Sequence, residues 1–294
     1  MNIRSNLLIL FLALFAATAL AQMSPMPMSE GFVTTDDGAQ IYYTIHGEGQ
    51  PLVLIHGYPL NGGLFRDNVG PLSERFQVVT VDLRGFGQSM SSSDGGSIER
   101  YAMDVLAVMG ELGLEQAVVG GMSMGGITAF EMYRQAPERF AGLILIDTVH
   151  LPAGPAEAGL WRGAATQAQE MGVASLVDVF LKDMVTGDTR MNRPEIAEHL
   201  TSLVEQAAVE GAVDGGNALA DRPDSSDTLA QISVPTLIIV GLEDTVTPYE
   251  VHQMMNEGIM GSELVIISGA AHAATLEAAD ETNAAILEWA QGLE

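Results

Sequence analysis

Val118-Val119-Gly120-Gly121-Met122-Ser123-Met124-Gly125-Gly126-Ile127-Thr128-Ala129-Phe130 decides how the rest of this 294-residue chain is read. A short apolar run, 117–119, stops at glycines, one serine follows, and a helical pattern begins at once. Gly121-Met122-Ser123-Met124-Gly125 is a G-x-S-x-G sequence between an expected strand and an expected helix. At so sharp a turn the serine backbone is pinched into a strained conformation, and Oγ stands clear of the sheet. Glycines are needed two residues to either side because a Cβ there would meet neighbouring chain. The helix that starts at Ser123 aims free N–H groups and its positive dipole end at the same point, which suits a developing oxyanion. The plain alternative is a glycine-rich turn that happens to hold a serine, and the strand-before, helix-after context argues against it.

On either side of this turn, buried strands are expected at 51–55, 77–81, 140–146, 235–240 and 264–267. Helical patterns fall at 98–112, 123–135, 248–255 and 273–293, with a rougher helical spacing over 64–72. Ahead of them, β-branched and aromatic stretches within 31–45 flank Asp36-Asp37-Gly38 and read as a β-hairpin. This alternation predicts parallel βαβ units in a doubly wound, mostly parallel α/β sheet. After Asp147 the rhythm breaks. Residues 150–230 show helical patterns without a clear buried strand, as expected of a helical cap inserted over the strand ends. The domain proper is expected over 31–294, after a flexible lead-in at 22–30.

The first 21 residues read as a secretory signal peptide: a polar start with Arg4, an apolar run over 7–17, and Ala19-Leu20-Ala21 as the cleavage site. The apolar run is too short to span a bilayer, which takes ~20 residues. The sequence thus predicts bacterial export, to the periplasm or beyond. With no cysteine the chain forms no disulfide, so its stability must come from its core. Net charge is −26, becoming −27 when Arg4 leaves, and Lys182 is the single lysine. Such a surface repels nucleic acid and anionic membranes and excludes both as partners. It fits a saline exterior, where salt screens self-repulsion, or simple solubility.

A serine hydroxyl becomes a nucleophile only when a base takes its proton. Of six histidines, His46, His150, His199 and His252 sit at a hairpin, a cap entry or on helices and read as packing residues. His272 follows the last strand in the loop Ser268-Gly269-Ala270-Ala271, at the strand end where open α/β sheets gather ligand sites, and is the expected base. A carboxylate must hold its tautomer. Asp244, in Gly241-Leu242-Glu243-Asp244-Thr245, is favoured, with Asp147 and then Glu243 as alternatives. The order Ser123, Asp244, His272 is that of a Ser…Asp…His arrangement. His56-Gly57-Tyr58-Pro59 follows an earlier strand; Pro59 lacks an N–H, so Tyr58 and Met124 are the expected backbone donors to an oxyanion.

These motifs resemble the α/β-hydrolase family, in its single-domain branch of esterases, enol-lactonases and cofactor-free perhydrolases. The likeness runs from about residue 31 to the C-terminus and includes Asp82-Leu83-Arg84-Gly85-Phe86-Gly87 and Ala220-Asp221-Arg222-Pro223-Asp224. Gly121-Met122-Ser123-Met124-Gly125-Gly126, followed by Pro137-Glu138-Arg139-Phe140, is most similar to enol-lactonase-like sequences. The resemblance implies an acyl-enzyme on Ser123, Asp244 as acid, His272 as base, and oxyanion donors at Tyr58 and Met124. It implies a small ester or lactone substrate and no cofactor. Serine at 123 argues against the dehalogenase and epoxide hydrolase branches, which place aspartate there. A non-catalytic ligand-binding protein on the same fold is the alternative of another class.

Asp82–Gly87 is not a dinucleotide loop, since Met90 stands where its third glycine belongs, and Arg84 is expected to be buried and hydrogen-bonded. No metal site is expected: cysteine is absent and no two histidines lie at helical spacing. Met122, Met124 and the cap residues Met171, Met184 and Met191 read as a soft acyl pocket or as core filling. Trp161 and Arg162 are candidates to line the cleft, and neither is assigned to it.

Overall fold

The computed structural model describes residues 27–293, so the expected signal peptide and most of the lead-in lie outside the described residues. Eight strands form one sheet in the order β1-β2-β4-β3-β5-β6-β7-β8. They are β1 (Ser29–Thr34), β2 (Gln40–His46), β3 (Gln50–Ile55), β4 (Phe76–Val81), β5 (Ala117–Met122), β6 (Phe140–Ile146), β7 (Thr236–Gly241) and β8 (Glu263–Ile267). β1 and β2 pair antiparallel, as do β2 and β4, and every later neighbour is parallel. The hairpin turns at Gly38, whose φ of 86° is open to a residue without a Cβ.

Both parities of β5 and β7 are buried, so helices must cover both faces of the sheet centre. Ile98–Glu111 packs on Met124–Gln135, while Ala279–Trp289 meets the short helix Val69–Leu72. β5 runs through Gly120 and Gly121, longer than the apolar run alone suggests. A Cβ on Gly120 would lie 2.8 Å from Leu54 Cδ2, so bare backbone is what lets β5 lie beside β3.

Two helical stretches are broken where the sequence suggests one. Over 64–72 the chain makes a 3-10 turn, Gly62–Phe65, and then the single turn Val69–Leu72. Glycines at 62, 63 and 70 are weak helix formers, and Pro71 fits only a first turn. At the C-terminus Ala278 leaves helical geometry between Ala274–Glu277 and Ala279–Trp289, and Arg193 donates to the freed carbonyl of Glu277 at 2.6 Å.

Between β6 and β7 the described residues hold helices and no strand, chiefly Pro155–Met171, Val177–Met184, Pro194–Glu205 and Val209–Ala220. Pro155–Met171 and Val209–Ala220 approach so closely that a Cβ on Gly216 would lie 2.9 Å from the Trp161 carbonyl. Arg84 is fully buried and joins the hairpin to Ile98–Glu111, donating to both oxygens of Asp104 at 2.6 Å and to Asp37 at 2.7 Å.

The topology positions the site. From β3 the chain steps one way to β4 and then crosses back to β5 on β3's other side. At such a reversal the loops leaving β3 and β5 diverge and open a crevice at the C-terminal strand ends.

Candidate active site

Ser123 sits at that crevice, between the end of β5 and the helix Met124–Gln135. Its φ of 53° and ψ of −117° place a non-glycine residue in a strained conformation. Neighbouring glycines make the turn possible: a Cβ on Gly121 would run into the Gly125 carbonyl, and one on Gly125 into that of Ile55. Ser123 N–H donates to Ile146 at 3.0 Å, and its carbonyl accepts from the Thr148 hydroxyl at 2.7 Å. Thr148 is held in turn by His252, whose Nε2 accepts the Thr148 N–H at 3.0 Å.

His272 Nε2 lies 2.9 Å from Ser123 Oγ, and His272 Nδ1 lies 2.8 Å from Asp244 Oδ2. A carboxylate only accepts, so Nδ1 carries the proton and Nε2 is free to accept from the serine hydroxyl. Asp244 is fixed further by the N–H groups of Val246 and Thr247, at 2.8 and 3.0 Å on Oδ1, and by the Thr247 hydroxyl, at 2.7 Å on Oδ2. Burial acts to raise the Asp244 carboxyl, but the His272 charge and these donors outweigh it and hold it below 3.8. Burial likewise acts to lower His272. Asp244, by charge and hydrogen bond, and then Asp147 and Asp183 reverse this and keep the imidazole above 6.5.

The alternative acids stand elsewhere. Glu243 is exposed. Asp147 is fully buried but bonds to backbone: Oδ1 accepts the Gly241 N–H at 2.8 Å and Oδ2 the Ala274 N–H at 3.2 Å. Burial, then the charge of Asp244, push its carboxyl well above the usual range. The other histidines lie apart from the Ser123 hydroxyl. Burial drives His56 and His252 down to about 4, which leaves both neutral at pH 7. His56 binds backbone, accepting from Leu83 N–H at 2.9 Å and donating to Gly57 at 2.9 Å.

The Tyr58 N–H has no backbone or side-chain acceptor among the described residues, and the Met124 N–H opens its helix and has no intrahelical partner. A cavity of about 640 Å³ reaches Ser123 and His272. One wall is aromatic: Tyr58 meets Phe180 and Trp161 edge to face, at 5.4 and 6.0 Å between ring centres. Leu176, Met184 and Val246 add apolar surface. Of the two side chains considered for the cleft, Trp161 is part of the cavity, whereas Arg162 is exposed and pairs with Asp221 at 2.6 Å. Of the cap methionines only Met184 lines the cavity; Met171 and Met191 are exposed. A second hollow of about 690 Å³, walled by Arg66, Arg193, Asp280 and Glu281, includes neither Ser123 nor His272.

Sequence reasoning passed over Thr148, the link from His252 to Ser123, and the bracing role of Asp147. Their partners lie 25 to 127 residues away, and no local pattern signals them. Among the described residues no three or more His, Cys, Asp or Glu side chains are grouped as metal ligands would be.

Known proteins resemble this chain in sequence and in fold. The AB hydrolase superfamily protein YisY of Bacillus subtilis (strain 168) is 30% identical over 268 residues, covering 88% of this chain and 98% of its own. The 3-oxoadipate enol-lactonase 2 of Acinetobacter baylyi is 29% identical over 255 residues, covering 86% and 94%. Among solved structures, a thermophilic esterase from Thermogutta terrifontis superposes with a TM-score of 0.86 at 32% identity, covering 90% of this chain and 99% of its own. The family model for the alpha/beta hydrolase fold matches residues 50–279, and with a sheet of this order and a serine at this turn, the chain belongs to the α/β-hydrolase family.

Proposed function

We propose that the protein is a serine hydrolase of carboxylic esters that works through an acyl-enzyme on Ser123. The observation that carries this reading is the continuous chain Ser123 Oγ, His272, Asp244, at 2.9 and 2.8 Å, facing a mostly apolar cavity. His272 Nε2 takes the hydroxyl proton as Oγ attacks the acyl carbonyl, and Asp244 stabilises the imidazolium. The N–H groups of Tyr58 and Met124 receive the oxyanion. His272 then protonates the departing alkoxide. Water, deprotonated by the same imidazole, attacks the acyl-enzyme, and the acid leaves with Ser123 restored.

A lactone is an internal ester, so the same steps open it, and the likeness to an enol-lactonase favours lactones as a second substrate type. The proposal includes export: the polar start, apolar run and Ala19-Leu20-Ala21 of the first 21 residues support an activity outside the cytoplasm. The test is Ser123→Ala. Turnover of p-nitrophenyl acetate should fall at least about a thousandfold, and labelling by a fluorophosphonate probe should vanish. Retained turnover would remove Ser123 as nucleophile, and ligand binding without any labelling of the wild type would favour a non-catalytic binding protein.

A further inference from the structure

The cavity before Ser123 holds two carboxylates, and they are not equivalent. Glu157 is matched: Arg222 donates to both its oxygens, at 2.7 and 2.9 Å, and Trp161 Nε1 adds a third bond at 3.1 Å. Asp183 lines the same cavity, half-buried, and has no ion pair or hydrogen bond among the described residues. No lysine or arginine lines the cavity.

Asp183 is also held in place. The carbonyl of the next residue, Met184, accepts the Ala273 N–H at 2.7 Å, directly after His272 in the chain. Two residues further, Thr186 donates to Glu277 through its N–H at 2.8 Å and its hydroxyl at 2.6 Å. The other Glu277 oxygen accepts the Ala271 N–H at 2.7 Å, directly before His272. The cap segment carrying Asp183 is thereby clasped to both flanks of His272.

Resting on the ester-hydrolase reading, we propose that Asp183 is a specificity-determining residue that sorts acyl groups by charge. Neutral and cationic acyl chains are accepted, and esters or lactones bearing a free carboxylate are turned away. A carboxylate entering this cavity gives up water, finds no lysine or arginine, and meets an unmatched like charge between apolar walls, where screening is weak. A cationic acyl chain meets that same charge as an attraction and has an aromatic wall beside it.

Three 4-nitrophenyl esters with five-carbon acyl chains supply the test: the pentanoate, the hydrogen glutarate and the 5-(trimethylammonio)pentanoate. At low salt the wild type should show a kcat/KM for the glutarate about tenfold or more below that for the pentanoate, with the cationic ester at least equal to the neutral one. Asp183→Asn should close the glutarate-to-pentanoate gap severalfold. Glu74→Gln removes the same charge at an exposed position at the opposite end of the sheet and should leave the ratio where it was. A wild type that hydrolyses the glutarate as readily as the pentanoate, or a gap that Asp183→Asn leaves unchanged, overturns the proposal. Failure of the wild type to hydrolyse the pentanoate is a different result: it removes the hydrolase reading, and charge selection falls with it.

Discussion

Asp147 is where the fold and the site are most tightly joined, and removing its carboxylate should be felt in both. Its two oxygens satisfy the N–H of Gly241, three residues before Asp244, and of Ala274, two residues after His272. Asp147→Ala leaves both donors buried and unpaired, at about 1–3 kcal/mol each. The backbone adds to this: Asp147 has a φ of 42°, which aspartate and asparagine tolerate far better than alanine. The expected loss is about 3–6 kcal/mol, a large part of the roughly 5–15 kcal/mol that holds a domain folded. Asp147→Asn keeps one acceptor and suits the backbone, so it should lose about half as much. The pH dependence has a definite sign. Burial raises the Asp147 carboxyl in the folded state, so its proton favours folding below the unfolded value of 3.8, and this contribution fades as pH rises through the folded value. The gap between wild type and Asp147→Ala should therefore be widest below 3.8 and narrow as pH rises through the folded value. Urea unfolding at several pH values measures it, with kcat on pentanoate as a second readout. An Ala variant within about 0.5 kcal/mol of the wild type throughout would refute the bracing role.

The remaining expectations concern pH and processing. His272 must be neutral to accept a proton, and its partners hold it above 6.5, so kcat/KM should fall on the acid side with a midpoint above that value. A flat profile from pH 5 to 8 would count against a histidine base. If the leader is removed as proposed, the chain recovered from the periplasm or medium should begin at Gln22, read by N-terminal sequencing. Recovery only from the cytoplasm with Met1 or Asn2 in place would end the export reading.

The α/β architecture was legible because each element carries its own signal. The apolar blocks of β3, β6 and β7 are short enough to be strands, Gly121 to Gly125 mark a turn that only small residues can make, and from β3 onward a helical spacing follows each strand. The missed details have equally local causes: Pro71 broke one expected helix, and Ala278 another. Ser123, Asp244 and His272 could be nominated because each follows a strand, and all parallel strands end at the same edge of the sheet.

What the sequence could not decide is which side chain faces which across that edge. Asp147 and Asp244 each follow a strand, and only folded geometry turns Asp244 to the imidazole and Asp147 to two backbone donors. Asp183 and Glu157 are both acids on cap helices; Arg222, 65 residues beyond Glu157, makes one of them matched and leaves the other without a partner among the described residues. Periodicity is a property of neighbours along the chain and survives in the string of letters. The pairing of charges and the closing of a cavity belong to residues far apart in the chain, and they exist only once the sheet has brought them together.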